Sequence, residues 1–424
     1  MRVVFLLTYF TSALATVFLL PIAGQSSERM LVRFEDLPNL VRAANGHVQA
    51  ADQEARAAEK RTGYLLRSYL PTLRASGGRE KFQTGPFSAQ SQPYGSIEAT
   101  INLFRGGRDA LEGNVRGGLH AQAESESQQT FFSELSEARH AFWQLVYRRE
   151  VIKLLRTALE QNKKNMTAAL KRIKGGLATN TDKLEFEIAK IQFDQDISRL
   201  ELESVNAQRR LAALFGRPVD TQIDTEELVP HEHDDSIFKE TFSADQHRDV
   251  RAFMAGQSVF EAQKSQAYRW WAPSLDVYGS YSLYTLRDRD FIAMRDRYES
   301  VLGIRLTFEL FDGLQSNTEG SAASLQAQAA ETRAAQSARE LTASFENAKQ
   351  ELALIHKLIH EGERNVEKGR EYLNSTLSEY SRGVKNSPDV LSATEKYVEF
   401  KRRYAELRRD YQIARSELMA LLEK

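Results

Sequence analysis

The chain is written twice. Leu103-Phe104-Arg105-Gly106 returns as Leu310-Phe311-Asp312-Gly313, 207 residues later. The same separation relates Gly176 to Gly383, Asp182 to Asp389, Leu184 to Leu391, and Leu211-Ala212-Ala213-Leu214 to Leu418-Met419-Ala420-Leu421. Upstream the separation is 202, relating Tyr69-Leu70-Pro71 to Trp271-Ala272-Pro273 and Val48 to Val250. The difference of five residues is confined to the stretch between the proline and the Leu-Phe-x-Gly motif, where a surface loop tolerates it. Two copies with every other spacing in common fold as two similar units, so the architecture follows from what one copy can form.

One copy forms mostly helix. Phe131, Leu135, Ala138, Phe142, Leu145, Ile152, Leu155 and Leu159 follow a heptad pattern, the stripe of a helix packed along a coiled-coil seam. No proline occurs from Asp109 to Lys174, and the 67 residues from Gly107 to Ile173 would span roughly 100 Å. Leu314 to Tyr380 is the matching 67-residue stretch of the second copy. Gly176 and Gly383 suit the left-handed residue that ends a helix, and Asn180 and Ser387 suit the N-caps of the helices that return. Pro388 would then occupy the first helical position, with Asp182 and Asp389 in the positive first turn. The returning helix, Thr181 to Phe215, covers only about 52 Å, and a short helix from Gly46 to Ser68 about 35 Å. Stacked end to end, the two nearly match the long helix beside them.

Between the short and long helices the pattern changes to period two. Ile97, Ala99, Ile101 and Leu103 alternate with Glu98, Thr100 and Asn102, and Leu302, Ile304, Leu306, Phe308 and Leu310 with Gly303, Arg305, Thr307 and Glu309. One apolar and one polar face fits a membrane barrel or a soluble sandwich equally well. Two strands in each copy give four, and about eight is the practical minimum for closure, so a barrel would have to be shared among identical chains. The expected fold class is mainly α with a small β part.

The flanking segments limit the functional classes. Arg2, the apolar run Val3 to Leu20, and Pro21, Ala23 and Gly24 have the order of an export signal covering residues 1–24, against the alternative of an anchoring helix. No other segment is long and apolar enough for a transmembrane helix. The first repeat then occupies residues 25–216 and the second 246–424, joined by an acidic linker, 217–245. A net charge of -1 argues against a nucleic-acid-coating protein. The absence of cysteine removes thiolate zinc sites, thiol catalysis and a lipidated N-terminal cysteine. His356 and His360 have the spacing of a zinc protease, but Lys357 stands where the general base belongs, and a solvated helix face is the better reading. His231-Glu232-His233-Asp234-Asp235 reads as exposed linker rather than a metal site, and Lys401, Arg402, Arg403, Arg408 and Arg409 as a salt-bridged helix surface. No catalytic, cofactor or metal site emerges, and the chain is not expected to be an enzyme.

The duplicated order of helix, strand pair, long helix, glycine tip and helix resembles the TolC-like outer-membrane efflux and secretion channel family. Gly383-Val384-Lys385-Asn386-Ser387-Pro388-Asp389-Val390-Leu391 looks like that family's tip signature. The resemblance implies a homotrimer with duplicated helical hairpins forming an α-barrel and four strands per chain forming a 12-stranded outer-membrane β-barrel. It further implies an exit duct across periplasm and outer membrane, docked on a periplasmic adaptor and an inner-membrane pump or secretion ATPase. In that setting Ile97, Ile101, Ile304, Leu306 and Phe308 would face lipid, Glu98, Thr307 and Glu309 the lumen, and Gly176 and Gly383 the adaptor. The gate positions that carry over are Tyr380 and Lys385, engaging Asp182, with Asp389 at the constriction and Ser392 where a second acid is usual. A second family link falls on Asn165 and Leu377, which departs from its Gln and Glu. The alternative is a periplasmic coiled-coil adaptor or structural protein.

Overall fold

The computed structural model describes residues 29–84, 87–176, 179–225, 237, 239–287 and 294–423. The expected export signal and the His231–Asp235 cluster lie outside the described residues. A short strand, β1 (Arg29–Leu31), leads into helices α1 (Leu37–Ala44), α2 (Gly46–Arg61) and α3 (Tyr64–Ser68). Strands β2 (Thr72–Thr84) and β3 (Phe87–Arg105) follow, then the long helix α4 (Arg108–Lys174) and its returning partner α5 (Asn180–Leu214). After β4 (Gln222–Asp224) the order repeats as α6 (Arg248–Ala267), β5 (Ser274–Arg287), β6 (Met294–Thr307), α7 (Gln315–Ser381) and α8 (Ser387–Leu422).

Both long helices have the expected 67 residues, displaced by one position. The 35-residue return of the first copy is displaced likewise, because the N-caps fall one residue earlier than expected, on Thr179 and Asn386. Each closes a capping box with the aspartate three residues on, Asp182 or Asp389, and this reciprocal pairing outcompetes a cap on Asn180 or Ser387. Pro388 is therefore the second helical residue, not the first. The single short helix expected from Gly46 to Ser68 is broken in two by Thr62 and a left-handed Gly63 at φ 69°.

The helices form four columns side by side. Contacts run from α2, α3 and α5 to α4, from α4 to α6 and α8, and from α6 and α8 to α7. Each two-piece column is stacked end to end, as the lengths implied. Asn45 makes the first joint: it caps α2 by accepting from the His47 and Val48 amides and donates its Nδ2 to Leu214 O of α5, at 3.0 Å. Gly216 (φ 58°) turns the chain away there, and a Cβ on it would stand 2.3 Å from Ala44 O. At the second joint Arg248 of α6 donates to Ala420 O and Glu423 O, and Glu423 takes both terminal nitrogens of Arg139 in α4. Around this level β1 pairs in parallel with β4, an addition that the duplicated pattern did not reveal. There Val32, Leu37, Val41, Phe142, Trp143, Leu211 and Phe215 form the largest core.

Columns approach closely where small residues meet large ones. Gly118 of α4 takes Val259 of α6, and Gly369 of α7 takes Phe400 of α8; Cβ atoms added there would lie 2.5 and 2.7 Å from those side chains. Gly369→Val should lower stability by about 1–3 kcal/mol through overpacking, measured by denaturant unfolding in detergent. Gly117→Ala, where an added methyl meets nothing within 4 Å, should instead be neutral or gain up to about 1 kcal/mol.

The second joint also contains a buried imidazole. His247 precedes α6, with Nδ1 accepting the Asp249 amide at 3.3 Å and Phe242 packed nearby. Burial pushes its pKa down and Arg248 adds to this, with Asp249 opposing in part. The fold therefore holds His247 neutral. Its contribution is complete above the unfolded-state value of about 6.5 and is lost as pH falls below it, where the unfolded chain binds the extra proton. His247→Gln should flatten the decline in Tm between about pH 7.5 and 5.5 relative to the unsubstituted protein.

Candidate channel wall and entrance

The strands of the two copies do not stay as separate pairs. They join in one antiparallel sheet of order β2-β3-β5-β6, so the copies are linked through β3 and β5. The register carries the alternation across all four strands. Leu73, Ala99, Gly279 and Leu302 form one row; Ile101, Val277 and Ile304 align in another, and all point to the same face. Arg74, Glu98, Ser280 and Val301 form a row of the opposite face, as do Asn102, Asp276 and Arg305. Arg305 lies over the Tyr278 ring at 4.3 Å, within that second face.

The apolar face is open to the surroundings. Leu302 is 84% exposed and Ile304 72%, and Leu73, Ile97 and Leu306 are exposed as well, with Ile101 half-buried. Phe308 and Glu309, expected on the last strand, lie just past its end at Thr307, and both are exposed. Glu98 is half-buried and Thr307 exposed on the polar face. At the sheet's base Asn102 donates to Asp109 Oδ2 at 2.7 Å, tying β3 to the first turn of α4. A bulge between Asn102 and Phe104 loosens the register at this level.

At the other end of the rod the two hairpin tips meet. Gly176 and Gly383 have φ of 73° and 82°, each ending its helix in the left-handed conformation, with open space where a Cβ would project. Ala169 and Phe186 of the first hairpin share a small core with Tyr380 and Val390 of the second, flanked by Met166, Leu377 and Leu391. Two polar links reinforce it. Arg172 donates to Tyr380 O at 3.0 Å and lays its guanidinium over the Tyr380 ring at 4.4 Å. The Ser387 amide donates to Asp182 Oδ1 at 3.3 Å, while Asp182 Oδ2 holds Thr179. Burial raises the Asp182 pKa, but the hydrogen bonds from Thr179 and Ser387 outweigh it, and the carboxyl titrates below its ordinary value.

The expected partners are thus redistributed. Tyr380 and Lys385 do not engage Asp182. Tyr380 is taken up by the tip core, and Lys385 reaches Asp389 on its own tip, 3.7 Å from Nζ to Oδ1. Ser392 is exposed on α8. Asn165 is buried and accepts from Gln161, and Leu377, without a polar atom, packs at the core's margin; no link joins them. Arg172 was missed by sequence reasoning; its one available signal is its place among three cations in the last turn of α4. Asp182→Ala should cost about 0.5–2 kcal/mol through the lost cap. Amide hydrogen exchange should quicken both at the start of α5 and at Ser387; quickening of α5 alone would show that the two tips are not coupled through this carboxylate.

Residues 243–423 match the family model for outer membrane efflux proteins. No curated protein shows significant sequence similarity to the chain. Solved structures do share its fold. The outer-membrane protein VceC of Vibrio cholerae is 16% identical, with a TM-score of 0.76 over 92% of this chain and 95% of that one. The Campylobacter jejuni outer-membrane channel CmeC is 14% identical, with a TM-score of 0.75 over 92% and 85%. The outer-membrane channel OprN is 17% identical, with a TM-score of 0.73 over 92% and 89%. OprN and CmeC are outer-membrane channels, and VceC is an outer-membrane protein. The chain shares the fold of these outer-membrane proteins, and its second half, residues 243–423, is similar to the outer membrane efflux protein family.

Proposed function

We propose that three copies of the chain form a channel-tunnel, an exit duct across the periplasm and outer membrane of a Gram-negative bacterium. The observation that carries this reading is the sheet: its apolar face is in register across four strands and exposed, while β2 and β6 each pair on one side only. Unpaired edges in hydrocarbon are prohibitive, and four strands are too few to close alone. Three chains would supply about twelve, with β6 of one copy against β2 of the next. The apolar rows, with Ile97, Ile101, Ile304 and Leu306, then meet lipid, and the rows containing Glu98, Arg305 and Thr307 meet water.

The helical columns support the same closure. One outer column exposes Leu184, Ile188, Ile191, Leu202 and Val205 of α5 at heptad-compatible spacings, a seam without a partner in the protomer. The column at the opposite edge, α7 of a neighbouring copy, would cover it. The resulting tube would be entered at the tips. There, Arg172 with Tyr380 and Asp182 with Ser387 would hold the entrance narrow, and a ring of Asp389 carboxylates would line it. Gly176 and Gly383, which leave their surroundings open, would receive the hairpin of a periplasmic adaptor coupled to an inner-membrane pump or secretion ATPase. The repeat boundaries, 25–216 and 246–424 about the 217–245 linker, go with this reading, as does removal of residues 1–24 on export.

Planar-bilayer recording of the detergent-purified protein tests the whole. Trimeric channels are expected, and Arg172→Ala should raise single-channel conductance by releasing the tips. Ile304→Arg should block assembly, at a cost of about 2–4 kcal/mol at the membrane midplane, while Thr307→Arg assembles. A monomer without conductance would overturn the proposal, and the reverse outcome for the two arginine variants would invert the faces of the barrel.

A further inference from the structure

The joint between the two repeats of one chain has a geometry that the second repeat leaves half-made. At that joint α6 of the second repeat lies against α4 of the first. Two glycines admit it: Cβ atoms added to Gly106 and Gly118 would overlap the side chains of Ala272 and Val259. A third, Gly107, leaves room for Arg269, whose Nη1 would stand 2.5 Å from an added Cβ. Leu103 is 46% exposed beside this joint, and Phe104 pairs with Leu275 of β5.

Each of these positions recurs 207 residues later, where α7 has no counterpart of α6 beside it among the described residues. Leu310 is 90% exposed and Phe311 is exposed as well. Gly313, at φ 70°, opens on empty space, and Leu325, in the place of Gly118, is 67% exposed. The surface that answers this one lies on the opposite edge of the protomer. Counting back 202 residues from Val259, Arg269 and Ala272 gives Ala57, Arg67 and Leu70, all exposed on or beside α2 and α3.

The volumes are complementary position by position. Within the chain a glycine of the long helix meets a valine; between chains a leucine would meet an alanine. Gly106 accepts the small Ala272, whereas the open Gly313 would accept the larger Leu70. At the third position Leu314 supplies a side chain where Gly107 leaves room for Arg269. Arg67 is correspondingly turned away, its Nη2 donating to Arg61 O and Thr62 O of its own chain. Leu314 keeps the left-handed backbone of Gly107, at φ 65°, and among the described residues no other non-glycine does so. Backbone strain at a bulky exposed residue is accounted for when another surface covers it.

We propose that α7 of one copy receives α2 and α3 of the next as α4 receives α6 within the chain, with Leu325 on Ala57 and Leu70 on Gly313. The contact is head-to-tail, because the two patches differ and lie on opposite edges. It rests on the ring of copies proposed above and adds the register in which neighbours engage.

The sequence has no cysteine, so introduced pairs report this register. The full chain carrying Ala57→Cys and Leu325→Cys, oxidised in detergent, should give covalent dimers and trimers on a non-reducing gel. One chain cannot form that bond internally, because α2 and α7 belong to opposite edges. Ala57→Cys with Thr332→Cys, displaced by about 10 Å along the same helix, should stay uncoupled. Ala57→Leu alone should raise the trimer dissociation constant about tenfold by overpacking, and adding Leu325→Ala should restore it to within about threefold. A trimer that couples through position 332 instead, or through neither pair, would overturn the register and leave the ring standing; a monomer would overturn both. A loss in Ala57→Leu that Leu325→Ala deepens would overturn the register as well.

Discussion

The protomer depends on one helix having neighbours on two sides. α4 runs 67 residues without interruption and touches α2, α3 and α5 along one flank and α6 and α8 along the other. Its buried residues accordingly go well beyond a single heptad stripe: Ala141, Phe142, Trp143, Leu145, Val146 and Tyr147 are buried almost consecutively. A helix apolar on nearly all sides cannot remain at a surface. Its equivalent in the second copy, α7, has one packed flank and keeps a narrower stripe. The duplication is therefore symmetric in length and asymmetric in burial, and that asymmetry makes α7 and the α2–α5 column the two outer edges.

Stacking helices end to end beside a continuous one creates a difficulty that the joints resolve. Four backbone groups at each helix terminus lack partners, and here two termini meet inside a core. Asn45 satisfies both sides of the first joint with one amide group, its oxygen taking the start of α2 and its nitrogen the end of α5. The second joint uses charge instead, with Arg248 on the last carbonyls of α8 and Arg139 on Glu423. The two copies thus solve the same geometric problem with different chemistry. Only the second solution places an imidazole, His247, where burial opposes its protonation.

Much of this was legible because length and periodicity are local properties. The absence of proline and the paired glycines measured both long helices correctly, and alternation in Ile97–Leu103 and Leu302–Leu310 identified the β3 and β6 faces. The caps were misplaced by one residue because Thr179 and Asn386 look no better than their neighbours until Asp182 and Asp389 are seen to answer them. β1 and α1 escaped notice since both lie upstream of Val48, the first residue that the duplication pairs. The tip links were beyond reach for another reason. Arg172 meets Tyr380 across 208 residues of chain, and nothing in either neighbourhood specifies the other. By contrast the carried-over partners, Tyr380 and Lys385 with Asp182, depended on side-chain directions that one tip core and one i,i+4 ion pair have changed.

The sheet has two unlike edges, β2 from the first copy and β6 from the second. A ring closed by joining unlike edges is head-to-tail, so every chain is a link and none is a spare. Under co-expression, a variant that still joins but spoils the passage would act dominantly. With equal amounts of sound and defective chains, only about one three-membered ring in eight would be built wholly of sound ones. If three copies share one pore, as proposed, its function is in this sense genetically fragile, and gene dosage matters less than the uniformity of the copies.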